Sequence, residues 1–281
     1  MPAPSKAAPP AIGALLVHVG PGEDSASRLN ASVALAGELE ARLIGLGAEM
    51  VEPLLATPYS GVNTAEWVTA MTQQVEADLS AARASFDHLA SRVEREWREA
   101  RDMPAHALAA SARACDLIIV SAHPSQNHFH AADPAEVVMR SGRPVLIMPD
   151  QAKPLNGKRI VVAWKDTREA RRALADALPF LHRADQVLVV GVCSADQQGA
   201  VQAQVEDVAA YLVDRGLSAQ AQVSVVPEAG VVDQLNKAAD ALGADLIVAG
   251  AYGHSRLREW AFGGVTRTLL DEPSRYLLLS H

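Results

Sequence analysis

The segment GADLIVAGAY at residues 243–252 decides the fold, because the same chain contains a close counterpart. The counterpart is ACDLIIVSAH at residues 114–123, and the two segments superimpose at an offset of 129 residues. This alignment places Asp116 on Asp245 and Leu117 on Leu246. After each segment come a polar loop, a short helical stretch and a second aliphatic run. The repeat predicts two copies of one structural unit.

The beginnings of the two copies match as well. AIGALLVHV at residues 11–19 opens the first copy, RIVVAW at residues 159–164 opens the second, and a segment around Pro154 joins them. We therefore predict one domain over residues 1–150 and another over residues 151–281. The full length of 281 residues is sufficient for two domains of ordinary size.

Aliphatic runs alternate with amphipathic segments throughout the second copy. The runs predict buried strands at 160–163, 187–192, 221–226 and 246–249. Apolar residues at helical spacing predict helices over 168–181, around 201–212 and over 231–242. Such alternation is typical of an open parallel sheet with helices on both faces, so we predict two tandem α/β domains of the Rossmann-like class.

The first copy follows the same plan, with one insertion. Its pattern predicts strands at 15–19 and 43–48 around a helix at 27–41, then a long helical segment at 64–92 and a third strand at 93–97. The runs that close the two copies, 145–148 and 276–279, would be exposed sheet edges if each half stood alone. We predict that the two halves pair through these runs within one chain, and a further homodimer is left open.

Four glycines follow the strand predicted at 246–249: Gly250, Gly253, Gly263 and Gly264. Ligands of open α/β sheets collect at the carboxyl ends of the strands. Without a Cβ, Gly250 and Gly253 would let a ribose lie against the main chain, and they also permit a positive φ. Gly263 and Gly264 precede a predicted helix start, whose free N–H groups suit a phosphate. The segment predicts a nucleotide site; the alternative is a loop that merely needs glycine.

The spacing of Gly250, Gly253 and Gly263 resembles the nucleotide-binding signature of the universal stress protein (UspA) family. The repeat resembles the tandem members of that family, over nearly the whole chain. This resemblance implies the adenine nucleotide alpha hydrolase-like fold and an adenine nucleotide as ligand, either ATP or AMP/ADP, with or without Mg²⁺. Together with the charges nearby, it predicts the nucleotide-binding residues Ala163, Trp164, Lys165, Val192, Ala249, Gly250, Gly253, Arg256, Gly263, Gly264, Val265 and Thr266.

The sequence departs from the family pattern at two positions. In ATP-binding members of the family a Ser or Thr follows the last glycine, whereas here Gly264 stands there and Thr266 is the nearest hydroxyl. The first strand commonly ends in an Asp that contacts the nucleotide, and here Lys165 occupies that position. Lys165 and the loop residues Arg256 and Arg258 are cations that would suit a phosphate; the alternative is that all three are solvated surface charges.

The equivalent loop of the first copy, SAHPSQNHFHAADPAEVV at residues 121–138, has lost the glycines. The residues that replace them are Ser121, Pro124, Ala132 and Asp133. Because Asp133 would place a negative charge where a phosphate should lie, we expect this degenerate half not to bind ATP in the same way. The loop gathers possible metal ligands, namely His123, His128, His130 and Asp133. The favoured interpretation is exposed loop histidines, with Asp133 capping a helix that begins at Pro134.

Composition narrows the remaining possibilities. The net charge of −8 argues against a nucleic-acid partner. No aliphatic run has the roughly 20 residues needed to span a bilayer, and the N-terminal segment lacks the apolar core of a secretion signal, so we expect a cytoplasmic protein without a membrane partner. Cys115 and Cys193 each lie in an apolar run, which indicates buried thiols without a disulfide or zinc site.

Three functions remain open on the sequence. The first is a nucleotide-binding protein with a regulatory or stress-response role and no efficient catalysis. The second is a slow ATPase or an adenylating enzyme of the same fold, and the third is a dimerisation scaffold without a ligand. No Walker motif, GxSxG motif or acidic pair for magnesium is evident, so no catalytic residue is assigned and the first function is favoured.

Overall fold

The strands and helices follow the aliphatic and amphipathic segments of the two sequence copies. A computed structural model describes residues 11–21, 23–53, 64–122, 127–149, 153–226, 230–253, 264–271 and 273–281. The chain divides into two compact units, one made mainly of Gly13–Pro154 and the other mainly of Leu155–Leu269 with Arg275–His281. Within the described residues no helix is both long and apolar enough to cross a membrane.

The N-terminal unit contains five strands and four α-helices among its described residues. Their order along the chain is β1 (Ala14–His18), α1 (Glu23–Leu39), β2 (Arg42–Ala48), α2 (Thr64–Leu89), β3 (Arg95–Ala100), α3 (Pro104–Ser111), β4 (Leu117–Ser121), α4 (Pro134–Ser141) and β5 (Val145–Met148). All neighbouring strands are parallel, in the spatial order β3-β2-β1-β4-β5.

The C-terminal unit repeats the five-stranded sheet. Its elements are β6 (Arg159–Trp164), α5 (Arg168–Leu181), β7 (Gln186–Cys193), α6 (Gln198–Asp214), β8 (Ala219–Val225), α7 (Val231–Leu242), β9 (Leu246–Gly250), α8 (Gly264–Asp271) and β10 (Tyr276–Ser280). The strands are again parallel, in the order β8-β7-β6-β9-β10. The predicted tandem α/β fold is confirmed.

The sequence repeat corresponds to an equivalent strand register in the two units. Leu15 on β1 pairs with Leu117, and Ile160 on β6 pairs with Leu246. In both units the first strand is central, the second and third strands lie on one side, and the fourth and fifth lie on the other. The strand order therefore reverses between β1 and β4 and between β6 and β9, and such a reversal opens a crevice at the carboxyl edge of the sheet.

The aspartates matched by the repeat perform the same task in both units. The Asp116 carboxylate accepts hydrogen bonds from the backbone N–H groups of Gly13 at 2.9 Å and Ala14 at 3.0 Å. The Asp245 carboxylate accepts from the N–H groups of Asn156 at 2.7 Å and Gly157 at 3.1 Å. Each aspartate thus fixes the backbone that leads into the central strand of its unit.

The third strand of the N-terminal unit lies later in the chain than its predicted bounds of 93–97. β3 spans Arg95–Ala100, and a turn in which the Val93 N–H donates to the Ala90 carbonyl precedes it. Trp97 is the one large apolar residue of the strand sequence REWREA, so hydrophobic pattern alone misplaces the bounds. The Trp97 ring lies against Gly47 of β2 and 5.5 Å from the Phe86 ring of α2, and these contacts hold α2 beside the sheet.

Candidate functional site

The carboxyl edge of the C-terminal sheet brings together residues that are far apart in the sequence. Ala163 of β6 pairs with Ala249 of β9, so Lys165 and Gly250 lie at the ends of adjacent strands. Val192 lies near the end of β7, which neighbours β6 on its other side. This edge lies at the strand-order reversal between β6 and β9, where a ligand crevice is expected.

The register assigns the predicted contacts to two faces of the sheet. Side chains alternate along a strand, and paired residues of neighbouring parallel strands share a face. Because Ala163 pairs with both Ala249 and Val190, the side chains of Ala163, Ala249 and Val192 lie on one face, and Trp164 faces the other side. Trp164 is 8% exposed. A base resting on Ala163 and Val192 would therefore not meet Trp164 on the same side of the sheet.

Gly250 has a structural reason to be glycine that the sequence did not reveal. A Cβ at this position would lie 2.4 Å from the Ala170 amide nitrogen and 2.5 Å from the Glu169 carbonyl carbon, both in the first turn of α5. Such distances are well inside van der Waals contact with rigid backbone. The glycine is required for α5 to pack against β9, whether or not a ligand contacts it.

The predicted positive φ also falls on a different residue. Tyr252 has a φ of 54°, whereas neither Gly250 nor Gly253 is among the described residues with positive φ. A Cβ on Gly253 would lie 3.5 Å from Glu169 Oε2, which is an ordinary contact. Neither the backbone conformation nor the described protein neighbours therefore require a glycine at position 253. Contact with a ligand is one remaining reason for a glycine there.

The N-terminus of α8 is the part of the candidate site that the sequence predicted to bind a phosphate. The helix begins at Gly264, and nothing described lies within 4 Å of where a Cβ on this glycine would be. Val265 is exposed, whereas Thr266 is 7% exposed. The Thr268 hydroxyl donates to the Gly264 carbonyl at 2.8 Å. The hydroxyls of Thr266 and Thr268 therefore do not take the place of the Ser or Thr that follows the last glycine in the family signature, unless the helix moves locally. The first two residues of α8, Gly264 and Val265, are exposed to solvent. Arg256 and Gly263, together with Arg258, lie outside the described residues.

The charged groups at this edge include the buried Glu169 carboxylate, whose charge is balanced by an arginine. Glu169 is 1% exposed and forms an ion pair with Arg168. Burial by itself raises the pKa of Glu169, but hydrogen bonds, above all from Arg168, outweigh it and hold that pKa below its ordinary value. The Thr167 hydroxyl caps α5 by accepting from the Ala170 N–H at 3.2 Å.

Among the described residues, Lys165 after β6 and Arg267 in α8 are two exposed cations near the ends of the predicted site segments in the sequence. Lys165 is exposed directly after β6, and within the described ranges it forms no ion pair. Arg267 is exposed in the first turn of α8 and likewise has no ion-pair partner among the described residues. Arg267 is not among the nucleotide-binding residues predicted from the sequence, although its position three residues after Gly264 could have indicated it.

The histidine-rich loop of the N-terminal unit is organised by protein contacts. Asp133 caps α4, accepting from the N–H groups of Ala135 at 2.8 Å and Glu136 at 3.4 Å, as the favoured interpretation predicted. His130 Nδ1 lies 3.2 Å from Glu49 Oε2, and His128 is exposed. No group of three possible metal ligands occurs in the described part of the chain, and His123 lies outside that part.

The fold defines a tandem α/β protein of the doubly wound class, with a strand-order reversal in each five-stranded sheet. The family model described as "Universal stress protein family" matches residues 157–274. This match covers the described elements from β6 to α8. The C-terminal half of the chain is therefore similar to universal stress protein domains.

Solved structures with the same tandem arrangement match nearly the whole chain. A universal stress protein from Archaeoglobus fulgidus DSM 4304 matches with a TM-score of 0.70 and 14% identity, covering 95% of this chain and 97% of that chain. A functionally unknown protein from Pseudomonas aeruginosa PAO1 matches with a TM-score of 0.61 and 17% identity, covering 96% and 92%. At these identities the likeness shows the two-domain fold.

A shorter solved structure matches part of the chain. It is a universal stress protein in complex with cAMP, with a TM-score of 0.33 and 20% identity, covering 50% of this chain and 98% of that chain. No curated protein matches the sequence.

Proposed function

We propose that the C-terminal domain binds ATP or a related adenine nucleotide, and that the protein acts as a regulator in a stress response. The observation that carries this proposal is the position of Lys165 and Gly250 at the ends of the adjacent strands β6 and β9, where the strand order reverses, with α8 as the next described element along the chain. Ligands of doubly wound sheets bind at such reversals.

The described residues fit the parts of a nucleotide. Ala163, Val192 and Ala249 form a small apolar surface on one face of the sheet, which suits a flat base. The accessible N–H groups at the start of α8 suit a phosphate because the helix dipole is positive there. Lys165, which stands where the family commonly has an Asp, supplies a cation for the same phosphate group.

Nucleotide binding without efficient catalysis agrees with the ion pairs that the carboxylates at this edge form. Asp166 is held by Arg171 at 2.5 Å, and Glu169 is held by Arg168. Because these carboxylates are paired with arginines, they are poorly placed to activate a water or to hold Mg²⁺ as part of a catalytic centre. Nucleotide binding would stabilise the folded domain by mass action and so change how the protein engages a partner.

The test is calorimetric titration of ATP into the wild type, Lys165→Gln and the control Lys237→Gln, whose lysine is exposed on α7. Loss of a charge-assisted hydrogen bond costs about 1.5–3 kcal/mol, so Lys165→Gln should weaken binding by about ten- to a hundredfold. Lys237→Gln should bind like the wild type. Equal affinity of all three proteins would contradict the role of Lys165. Steady release of phosphate from ATP would favour the enzyme, and absence of binding would favour the scaffold.

A further inference from the structure

The N-terminal unit has a cavity of about 410 Å³ at its own strand-order reversal. It lies at the carboxyl ends of β1, β2 and β4, and α2 provides one wall. The polar lining includes His18, Arg28, Glu49, Asp78 and Ser121. Its volume falls within the range of small-molecule sites. From the sequence, this half is expected not to bind ATP in the same way, and His18, Arg28 and Glu49 are not among the predicted site residues.

Glu49 is a buried carboxylate, and one of its two oxygens accepts no hydrogen bond from a described residue. It directly follows β2, lines the cavity and is 1% exposed. Its Oε2 lies 3.2 Å from His130 Nδ1, but its buried Oε1 has no hydrogen-bond partner in the described part of the chain. Burial raises the pKa of Glu49, and the hydrogen bond to His130 only moderates this. A donor brought by a ligand would relieve the unsatisfied oxygen.

The cations and donors of the cavity are already used by the protein. Arg28 donates from Nε to the His18 carbonyl at 3.0 Å and from Nη1 to the Ser121 hydroxyl at 2.6 Å. Its Nη2 donates to Ser25 Oγ at 3.3 Å. Burial lowers the pKa of His18 to about 3, so this imidazole is uncharged near neutral pH. Asp133 occupies the N-terminus of α4, where a phosphate would otherwise bind. The cavity is therefore poorly suited to an anion.

Acceptors and apolar groups make up much of the remaining lining, and the Gln74 amide already donates to Asp78 at 2.9 Å. Asp78 and Glu52 add carboxylates to that of Glu49. The neutral His18 ring donates through Nε2 to the Ala48 carbonyl at 3.1 Å, which leaves Nδ1 as an acceptor. Trp67 and Met71 on α2 line the cavity and supply apolar surface. This combination suits a ligand with a positively charged N–H donor and a hydrocarbon part.

We infer that the N-terminal cavity binds a small organic ammonium ion, whose N–H groups donate to Glu49 and whose hydrocarbon part contacts Trp67 and Met71. The buried acceptor, the occupied arginine and the aromatic wall all point to the same ligand class. Trp67 also offers a ring for a cation–π contact. This inference concerns the opposite half of the chain and does not depend on nucleotide binding by the C-terminal domain.

The experiment is calorimetric titration of the full-length protein with phenethylammonium chloride and, separately, with the anion 3-phenylpropionate, which has a similar size. We expect saturable binding of the ammonium ion and at least tenfold weaker binding of the carboxylate. Glu49→Gln should bind phenethylammonium at least tenfold more weakly, because it removes the charge while retaining the side-chain shape. The control Glu94→Gln changes an exposed carboxylate outside the cavity and should leave the affinity unchanged.

Three outcomes would overturn the inference. They are no binding of phenethylammonium by the wild type, binding of 3-phenylpropionate that is equally tight, and unchanged affinity in Glu49→Gln. Thermal unfolding of each variant followed by circular dichroism verifies that it is folded before titration. Addition of saturating ATP should leave the phenethylammonium affinity within about twofold of its original value, which separates this site from the proposed nucleotide site.

Discussion

Gly250 lies so close to Ala170 that a Cβ at position 250 would be 2.4 Å from the Ala170 amide nitrogen. The first glycine of the signature therefore shapes the fold, because it lets the first turn of α5 pack against the end of β9. This role is independent of its position at the proposed nucleotide site. Gly264 differs, since a Cβ there would meet nothing described within 4 Å.

Gly250→Ala should destabilise the protein even without nucleotide. A methyl group forced against helix backbone costs about 1–3 kcal/mol of unfolding free energy, as overpacked cores generally do. Urea denaturation measures this value, with Gly264→Ala as the matched control that should stay within about 0.5 kcal/mol of the wild type. An unaltered urea midpoint for Gly250→Ala would show that α5 does not need the glycine.

The two aspartates of the repeat should contribute similarly to stability. Asp116 and Asp245 each accept backbone N–H groups that lead into the central strand of a unit. Replacing either by Ala should lower the unfolding free energy by about 1–2 kcal/mol, because hydrogen bonds to a charged acceptor are lost. Asp207→Ala, at an exposed position on α6, serves as control. If Asp116→Ala and Asp245→Ala unfold like this control, the two aspartates are not structural anchors.

His18 should make the protein less stable in acid. Burial first, and the nearby Arg28 charge second, lower its pKa from 6.5 to about 3 in the folded protein. Between these values the unfolded chain binds the proton more readily than the folded protein does. The contribution of neutral His18 to the unfolding free energy is therefore complete above about pH 6.5 and is lost as the pH falls toward 3, with a maximum on the order of 5 kcal/mol.

His18→Gln tests this pH dependence. A glutamine can still donate to the Ala48 carbonyl but does not titrate, so the difference in unfolding free energy between pH 6.5 and pH 3 should shrink relative to the wild type. Glu49, His130, Asp78 and Arg28 are present in both proteins, and the opposite effect of the raised Glu49 pKa cancels in the comparison. Parallel stability curves would mean that His18 is not a buried neutral imidazole.

Periodic segments were the most predictable part of the fold. The helix predicted over 168–181 is α5, and the helix predicted over 231–242 is α7, with identical bounds. Their apolar faces repeat regularly and a cap or glycine marks an end of each, namely Thr167 and Gly243. By contrast, the β3 sequence REWREA is mostly charged, and its placement depends on the contact between Trp97 and Gly47. Such a tertiary contact leaves no local pattern.

The candidate site was predictable only where it follows from sheet topology. Lys165 and Gly250 lie at the ends of adjacent strands because the carboxyl ends of parallel strands share one edge. The contact of Gly250 with Ala170 was not predictable, since it depends on how closely α5 approaches the sheet. The same holds for the N-terminal cavity, where Arg28 reaches Ser121 and Glu49 reaches His130 across long sequence separations.

Nucleotide binding by the C-terminal domain is tested most directly by calorimetric titration of ATP into the wild type, Gly264→Asp and Gly199→Asp. Both glycines lie in the first turn of a helix, and no described atom lies within 4 Å of an added Cβ at either, but Gly199 is on α6, which packs against Gly191 on the face of the sheet opposite Ala163 and Val192. We predict saturable binding of ATP to the wild type and to Gly199→Asp. ATP binding should be lost in Gly264→Asp, because the new carboxylate would lie at the proposed phosphate position and repel it. No heat of binding from the wild type, or equal affinity in Gly264→Asp, would contradict the proposed site.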